Sequence, residues 1–204
     1  MIPRRCSLIL AGALLGFLDC RPKDPADEMT DMQVPVDGSP VTSVKKFTLI
    51  DDFDAAMVAD GATFSSPGTW KTDMACSYTY SKIATSPQNS LLFAPSAAMA
   101  MTCTLDWEKQ FDSLLAADAT LNFYYQNNLR GSSEAHINML DGQGRTIGSL
   151  TPLPLPGSMN TWVHAKVPIL MNSVKFRLTV TFANALPGQL FYVDDFFTVN
   201  TVRN

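Results

Sequence analysis

Histidine and cysteine are scarce in this chain of 204 residues, with two of the first and four of the second. No Cys-x-x-Cys and no His-Glu-x-x-His occurs, which excludes a zinc site built on the usual spacings. The Gly-x-Ser-x-Gly elbow of serine hydrolases is missing, and so is a glycine-rich loop that would cradle a phosphate. His136 and His164 fall in separate strand-like stretches. Glu134 shares a strand face with His136, but the simpler account of that pair is the polar outer side of a sheet rather than an acid and a base. A chain without catalytic activity is therefore expected. Basic residues are outnumbered, 15 Lys and Arg against 19 Asp and Glu, which argues against nucleic acid or anionic lipid as the main partner. No apolar run is long enough to span a bilayer, and helix-like sequence is limited to a short piece around Phe111 to Ala117.

Arg4 and Arg5 precede an apolar run from Leu8 to Leu18, and together these read as a secretory signal. The run ends at Phe17-Leu18-Asp19-Cys20, which resembles a bacterial lipoprotein signal, where the cysteine becomes the lipidated first residue. Asp19 departs from that pattern, which prefers a small residue there. The alternative is an ordinary cleaved signal without lipid, although no Ala-x-Ala site is apparent near the end of the run. Residues 1–19 are thus assigned to a signal peptide and 20–46, rich in Pro, Asp, Met and Gly, to a flexible tether. Residues 47–204 form one domain, long enough to bury a core. Losing residues 1–19 removes two arginines and one aspartate, so the net charge moves from −4 to −5. The expected location is the bacterial cell envelope, or the medium if no lipid is attached.

Cys6 lies in the signal and Cys20 at its end, which leaves Cys76 and Cys103 in an exported domain that would join them. Alternation places Met74, Cys76, Tyr78 and Tyr80 on one strand face, and Met101, Cys103 and Leu105 on one face of another. The bridge is expected between strands on the apolar side.

The rest is strand after strand: Leu121 to Tyr125, Ala135 to Met139, Val163 to Val167 and Val174 to Phe182 all alternate. Turn signals separate them at Asp141-Gly142-Gln143-Gly144, Pro152 to Gly157 and Leu186-Pro187-Gly188. Many strands, Gly/Pro punctuation and almost no helix predict an all-β, two-sheet antiparallel sandwich or jelly roll. If Leu121, Phe123 and Tyr125 point inward, Asn122, Tyr124 and Gln126 point out. The same parity exposes Glu134, His136 and Asn138, then His164 with Trp162, and Lys175, Arg177 and Thr179. Were these strands neighbours in one sheet, they would form a polar surface around Tyr124.

Acidic pairs stand inside apolar sequence at both ends of the domain: Asp51-Asp52-Phe53-Asp54 and Tyr192-Val193-Asp194-Asp195-Phe196. Burying them requires backbone amides, a cation or solvent. These two segments, with Trp70, the Asn89-Ser90-Leu91-Leu92-Phe93 strand and Thr161-Trp162-Val163-His164, resemble the galactose-binding-like jelly rolls of bacterial carbohydrate-binding modules and related surface lipoproteins. The resemblance implies a structural calcium ion at the matched acidic positions Asp51, Asp52, Asp54, Asp194 and Asp195. The alternative is that one aspartate of each pair accepts backbone amides at a bulge while its neighbour faces water. For the partner, two readings stay open. One is a glycan held on flat aromatic faces by Asn122, Tyr124, Gln126, Glu134, His136, Asn138, Trp162, His164 and Arg177. The other is another surface protein. Trp70, Tyr78 and Tyr80 are expected to fill the core.

Overall fold

The computed structural model describes residues 43–54, 58–86, 88–97, 99–112, 115, 117–155, 161–183 and 188–203. The expected signal peptide, Cys20 and the expected tether up to residue 42 lie outside the described residues.

Alternating apolar sequence is realised as eleven strands: β1 (Ser43–Asp51), β2 (Trp70–Thr72), β3 (Cys76–Ser81), β4 (Ser90–Pro95), β5 (Met101–Trp107), β6 (Thr120–Asn127), β7 (Glu134–Leu140), β8 (Thr146–Pro152), β9 (Val163–Pro168), β10 (Lys175–Phe182) and β11 (Phe191–Arg203). One sheet runs β3-β4-β11-β6-β9, with β1 also paired to β11; the other runs β2-β5-β10-β7-β8. Every pairing is antiparallel, which gives the expected two-sheet sandwich.

The first strand starts four residues before the expected domain boundary. Lys45 and Lys46 pair with Thr201 and Asn200 of β11, so residues 43–46 belong to the domain and not to the tether. Richness in Pro, Asp, Met and Gly suggested a linker, but a sheet edge is held by backbone groups that composition does not report. No helix occurs among the described residues; residues 113, 114 and 116 of the helix-like piece from Phe111 to Ala117 lie outside them. Phe111 is buried, its N–H donates to Val174 O at 2.8 Å, and its ring stacks on Phe176.

Inward positions alternate as the pleat requires: Leu121, Phe123 and Tyr125 of β6, and Phe176, Leu178, Val180 and Phe182 of β10, are all fully buried. Phe196 of β11 lies among these rings, 4.7 Å from Phe123, 5.3 Å from Trp70 and 5.4 Å from Phe176 between centroids. Trp70, Tyr78 and Tyr80 are core residues, as expected. Tyr78 donates its hydroxyl to Thr104 O at 2.8 Å, and burial first, then the Asp73 carboxylate, pushes its pKa far up.

Cys76 and Cys103 form a disulfide with their Cα atoms 5.6 Å apart. Because β3 and β5 belong to different sheets, the bond clamps one sheet to the other. Met74, placed by alternation on the same inward face, is fully exposed, since it precedes β3 and its pleat. The Asp141 to Gly144 segment is the expected β7–β8 hairpin turn. Asp141 Oδ1 accepts the N–H groups of Gln143 and Arg145, each at 2.9 Å, and the Arg145 amide leads the causes that hold its carboxyl below the usual range. Gly144 takes φ 78° there, a value an L side chain resists.

Candidate functional site

The two acidic segments meet at the ends of β1 and β11, and each is used to bend the chain. Asp51 Oδ1 accepts Phe53 N–H at 2.8 Å and Asp52 Oδ1 accepts Asp54 N–H at 3.1 Å. These turns hold Phe53 at φ 55°, a conformation costing roughly 1–3 kcal/mol for a bulky residue, while its ring packs between Phe64, Trp70 and Phe196. Asp51 Oδ2 accepts the Trp70 indole N–H at 2.6 Å; burial nevertheless leaves its pKa raised, opposed by the Trp70 and Phe53 donors.

On β11, Asp194 pairs with Tyr124 and Phe197 with Asn122, so Asp195 and Phe196 together stand opposite Phe123. This is a bulge, with Asp195 at φ 51°, and it turns both carboxyls into a buried position. Thr85 and Ser86, in the connection between β3 and β4, receive them. Asp194 Oδ2 accepts the N–H groups of Thr85 at 2.7 Å and Ser86 at 3.2 Å, and Asp194 Oδ1 accepts Asp195 N–H at 2.9 Å. Burial, then the Asp195 charge, pushes the Asp194 pKa up to about 8.

The five aspartates expected to share an ion are not one ligand set. Among the described residues no three His, Cys, Asp or Glu side chains form a group that could hold a metal ion. Backbone amides and the Trp70 indole take up Asp51 and Asp52, and Asp54 Oδ1 accepts Asn89 N–H at 2.8 Å. Asn89 itself was not anticipated from sequence. It is wholly buried, and among the described residues neither its amide oxygen nor its amide nitrogen has a hydrogen-bond partner. It stands two residues before Leu91, whose β11 partner Val193 is two residues before Asp195. Two carboxylates and an orphaned amide oxygen are the hard oxygen donors that suit calcium.

The nine expected ligand residues fall on two opposite faces. Asn122, Tyr124 and Gln126 (β6) and His164 (β9), with Trp162 just before β9, belong to the β11 sheet. Glu134, His136 and Asn138 (β7) and Arg177 (β10) belong to the other sheet. They do not make one surface, because β6 pairs with β9 and β11, whereas β7 pairs with β8 and β10.

On the β11 sheet, Tyr124 and His164 are register partners and their rings stack at 4.9 Å with 20° between planes. Phe197 continues the row, 6.1 Å from His164. His164 is exposed and Tyr124 half-buried, as is Trp162. Asn122 and Gln126 are buried, contrary to their expected exposure. The Asn122 amide is turned within the sheet face, donating to Thr120 Oγ1 at 3.0 Å and lying 3.2 Å from His164 Nε2. Gln126 Nε2 has no hydrogen-bond partner among the described residues.

The other face is polar and ionic. Arg177 makes a bidentate pair with Asp106, at 2.5 and 2.7 Å, and that hydrogen bonding is the first cause raising its pKa. Asn138, again buried where exposure was expected, donates to Thr179 Oγ1 at 3.1 Å. Glu134 and His136 stand 3.8 Å apart.

No known family model matches this chain, and no curated protein matches it. Its fold is found among solved structures. The glycoside hydrolase domain of Endo-D from Streptococcus pneumoniae R6 superposes with TM-score 0.50 at 11% identity over 64% of this chain and 21% of that one. The fold thus corresponds to about a fifth of that enzyme domain's length. A family 29 carbohydrate-binding module is similar with TM-score 0.45 and 11% identity, over 76% of this chain and 89% of that one. The CBM22-1 xylan-binding domain of Paenibacillus barcinonensis Xyn10C is similar with TM-score 0.44 and 10% identity, over 79% and 99%.

Proposed function

We propose that this chain is a non-catalytic glycan-binding sandwich, exported and held at the bacterial envelope through a lipidated Cys20. The observation that carries the reading is the Tyr124–His164 stack on the outer face of the β11 sheet. Aligned rings, half open to water, give the apolar side of a sugar ring a surface to lie on. Calcium between Asp194, Asp195 and Asn89 would neutralise the buried pair and brace the end of the sandwich; it takes no part in ligand contact. A glycan array probed with the mature domain, followed by calorimetry on any hit, tests the function. Absence of binding across neutral and acidic glycans removes it.

A second reading is favoured by Leu49, an exposed apolar residue that is the register partner of Phe197 on the same face. Contact with another surface protein would cover it, and a protein partner captured in place of a glycan decides for that reading.

A further inference from the structure

Outward positions of the β11 sheet form rows that cross its strands. One row runs Leu49 (β1), Phe197 (β11), Asn122 (β6) and Lys166 (β9), each the register partner of the next. The neighbouring row holds Tyr124 and His164, and the His164 ring lies 6.1 Å from that of Phe197. Asn122 is buried here, its amide oxygen 3.2 Å from His164 Nε2. Lys166 is two residues from His164 on the same strand, hence on the same side and roughly 7 Å along β9. The strip of rings therefore has a lysine at its flank.

Charge is sorted between the two sheets, which the net value of −4 for the whole chain conceals. The strands of the β11 sheet carry no exposed acid among the described residues: Asp194 and Asp195 are buried, and Asp51 is half-buried against the Trp70 indole. Their exposed lysines are Lys45, Lys46 and Lys166. Alternation turns Lys46 to the inward side, and Lys45 stands opposite Thr201, whose hydroxyl donates to the exposed Asp118 carboxylate. That leaves Lys166 as the cation beside the rings, with no carboxylate partner among the described residues. The opposite sheet instead pairs its charges internally, Arg177 with Asp106 and His136 with Glu134. A lysine on an edge strand such as β9 also discourages strand addition, but that role is indifferent to which glycan is bound. A uronic acid matches the arrangement: its ring offers an apolar face to Tyr124 and His164, and its carboxylate projects from the ring edge toward a cation at the side. One lysine suits one charge per sugar, whereas densely sulfated chains call for clustered Arg and Lys, which this face lacks.

We propose that the glycan lying on the Tyr124–His164 rings is a uronate polymer, with Lys166 pairing to a sugar carboxylate. This rests on the glycan-binding reading of that face and names its substrate class. The test is calorimetry of the mature domain with oligogalacturonate, oligomannuronate and oligoglucuronate, each beside its methyl ester, which keeps the rings and linkages and removes the charge. At least one acid should bind, its ester about fivefold or more weaker, and its affinity should fall with added salt. Lys166→Gln should weaken that acid about fivefold and leave the ester unchanged, and Lys166→Glu should weaken the acid further. Lys71→Gln, which removes the same charge from the opposite sheet, should have no effect on the acid. Esters bound as tightly as acids, an acid whose affinity survives Lys166→Glu or Tyr124→Ala, equal losses in the Lys166 and Lys71 variants, or dextran sulfate bound as tightly as any uronate overturns the assignment. Binding of neutral glycans alone, lost in Tyr124→Ala, also overturns it and leaves the glycan-binding function standing. No binding of any glycan, acidic or neutral, removes that function and the uronate with it.

Discussion

Asp194 and Asp195 share one hydroxyl: Thr85 Oγ1 lies 2.8 Å from Oδ2 of the first and 2.6 Å from Oδ2 of the second. A hydroxyl has a single proton to give, so only one contact is a donation from Thr85. The other needs a proton on a carboxyl group, or a cation that relieves the charge.

That relationship fixes a pH dependence. The folded-state pKa of Asp194 is raised from 3.8 to about 8, so between these values the native state holds a proton that the unfolded chain has released. Stability from this group is full below about pH 4, falls as pH rises through 8, and is level above; the loss reaches at most about 6 kcal/mol. Denaturant unfolding in chelator should show this decline between pH 4 and 8. Added calcium should flatten it and raise the unfolding temperature at neutral pH. If chelator and calcium curves superpose and elemental analysis finds no metal, there is no calcium site.

The disulfide closes a loop across the sheets. Removing it with Cys76→Ala and Cys103→Ala together should cost roughly 3 kcal/mol in the chain-entropy description. Thiol titration of the unfolded, unreduced mature domain should find neither sulfhydryl reactive; two reactive groups there refute the bridge.

The two faces are separable by mutation. Tyr124→Ala should weaken binding of a confirmed glycan by roughly tenfold or more with the fold intact. Arg177→Ala and Glu134→Ala, on the opposite sheet, should leave the affinity unchanged. Calorimetry giving the reverse pattern would move the site to the Asp106–Arg177 face. Trp70 serves as a core control: Trp70→Ala should cost roughly 3–5 kcal/mol of stability, so any loss of binding must be judged on folded protein.

Mass spectrometry of the mature protein from its native envelope should find an acylated Cys20 at the N-terminus. A mature end elsewhere, or an intact Met1, defeats the anchor.

Local periodicity was informative and long-range pairing was not. The inward faces of β6 and β10 and the partnership of Cys76 with Cys103 followed from alternation and cysteine count, because each depends on a residue's own neighbours. Whether Tyr124 and His136 share a surface depends on which strand inserts beside which, and a period of two is the same in either sheet. The acidic pair at 194 and 195 announced a need for partners, yet those partners, Thr85 and Ser86, lie more than a hundred residues away in a connection with no distinguishing pattern.

β11 lies in the middle of its sheet, bonded to β4 and β1 along one edge and to β6 along the other. When such a chain emerges N-terminus first, ten strands are available before the one that joins them. Until residues 191–203 arrive, β3 with β4, β6 with β9, and β1 remain three unjoined pieces with bare edges. Closure of this sheet is therefore a late, slow event dominated by distant pairings, and a nonsense codon before residue 191 would remove a keystone rather than trim a margin.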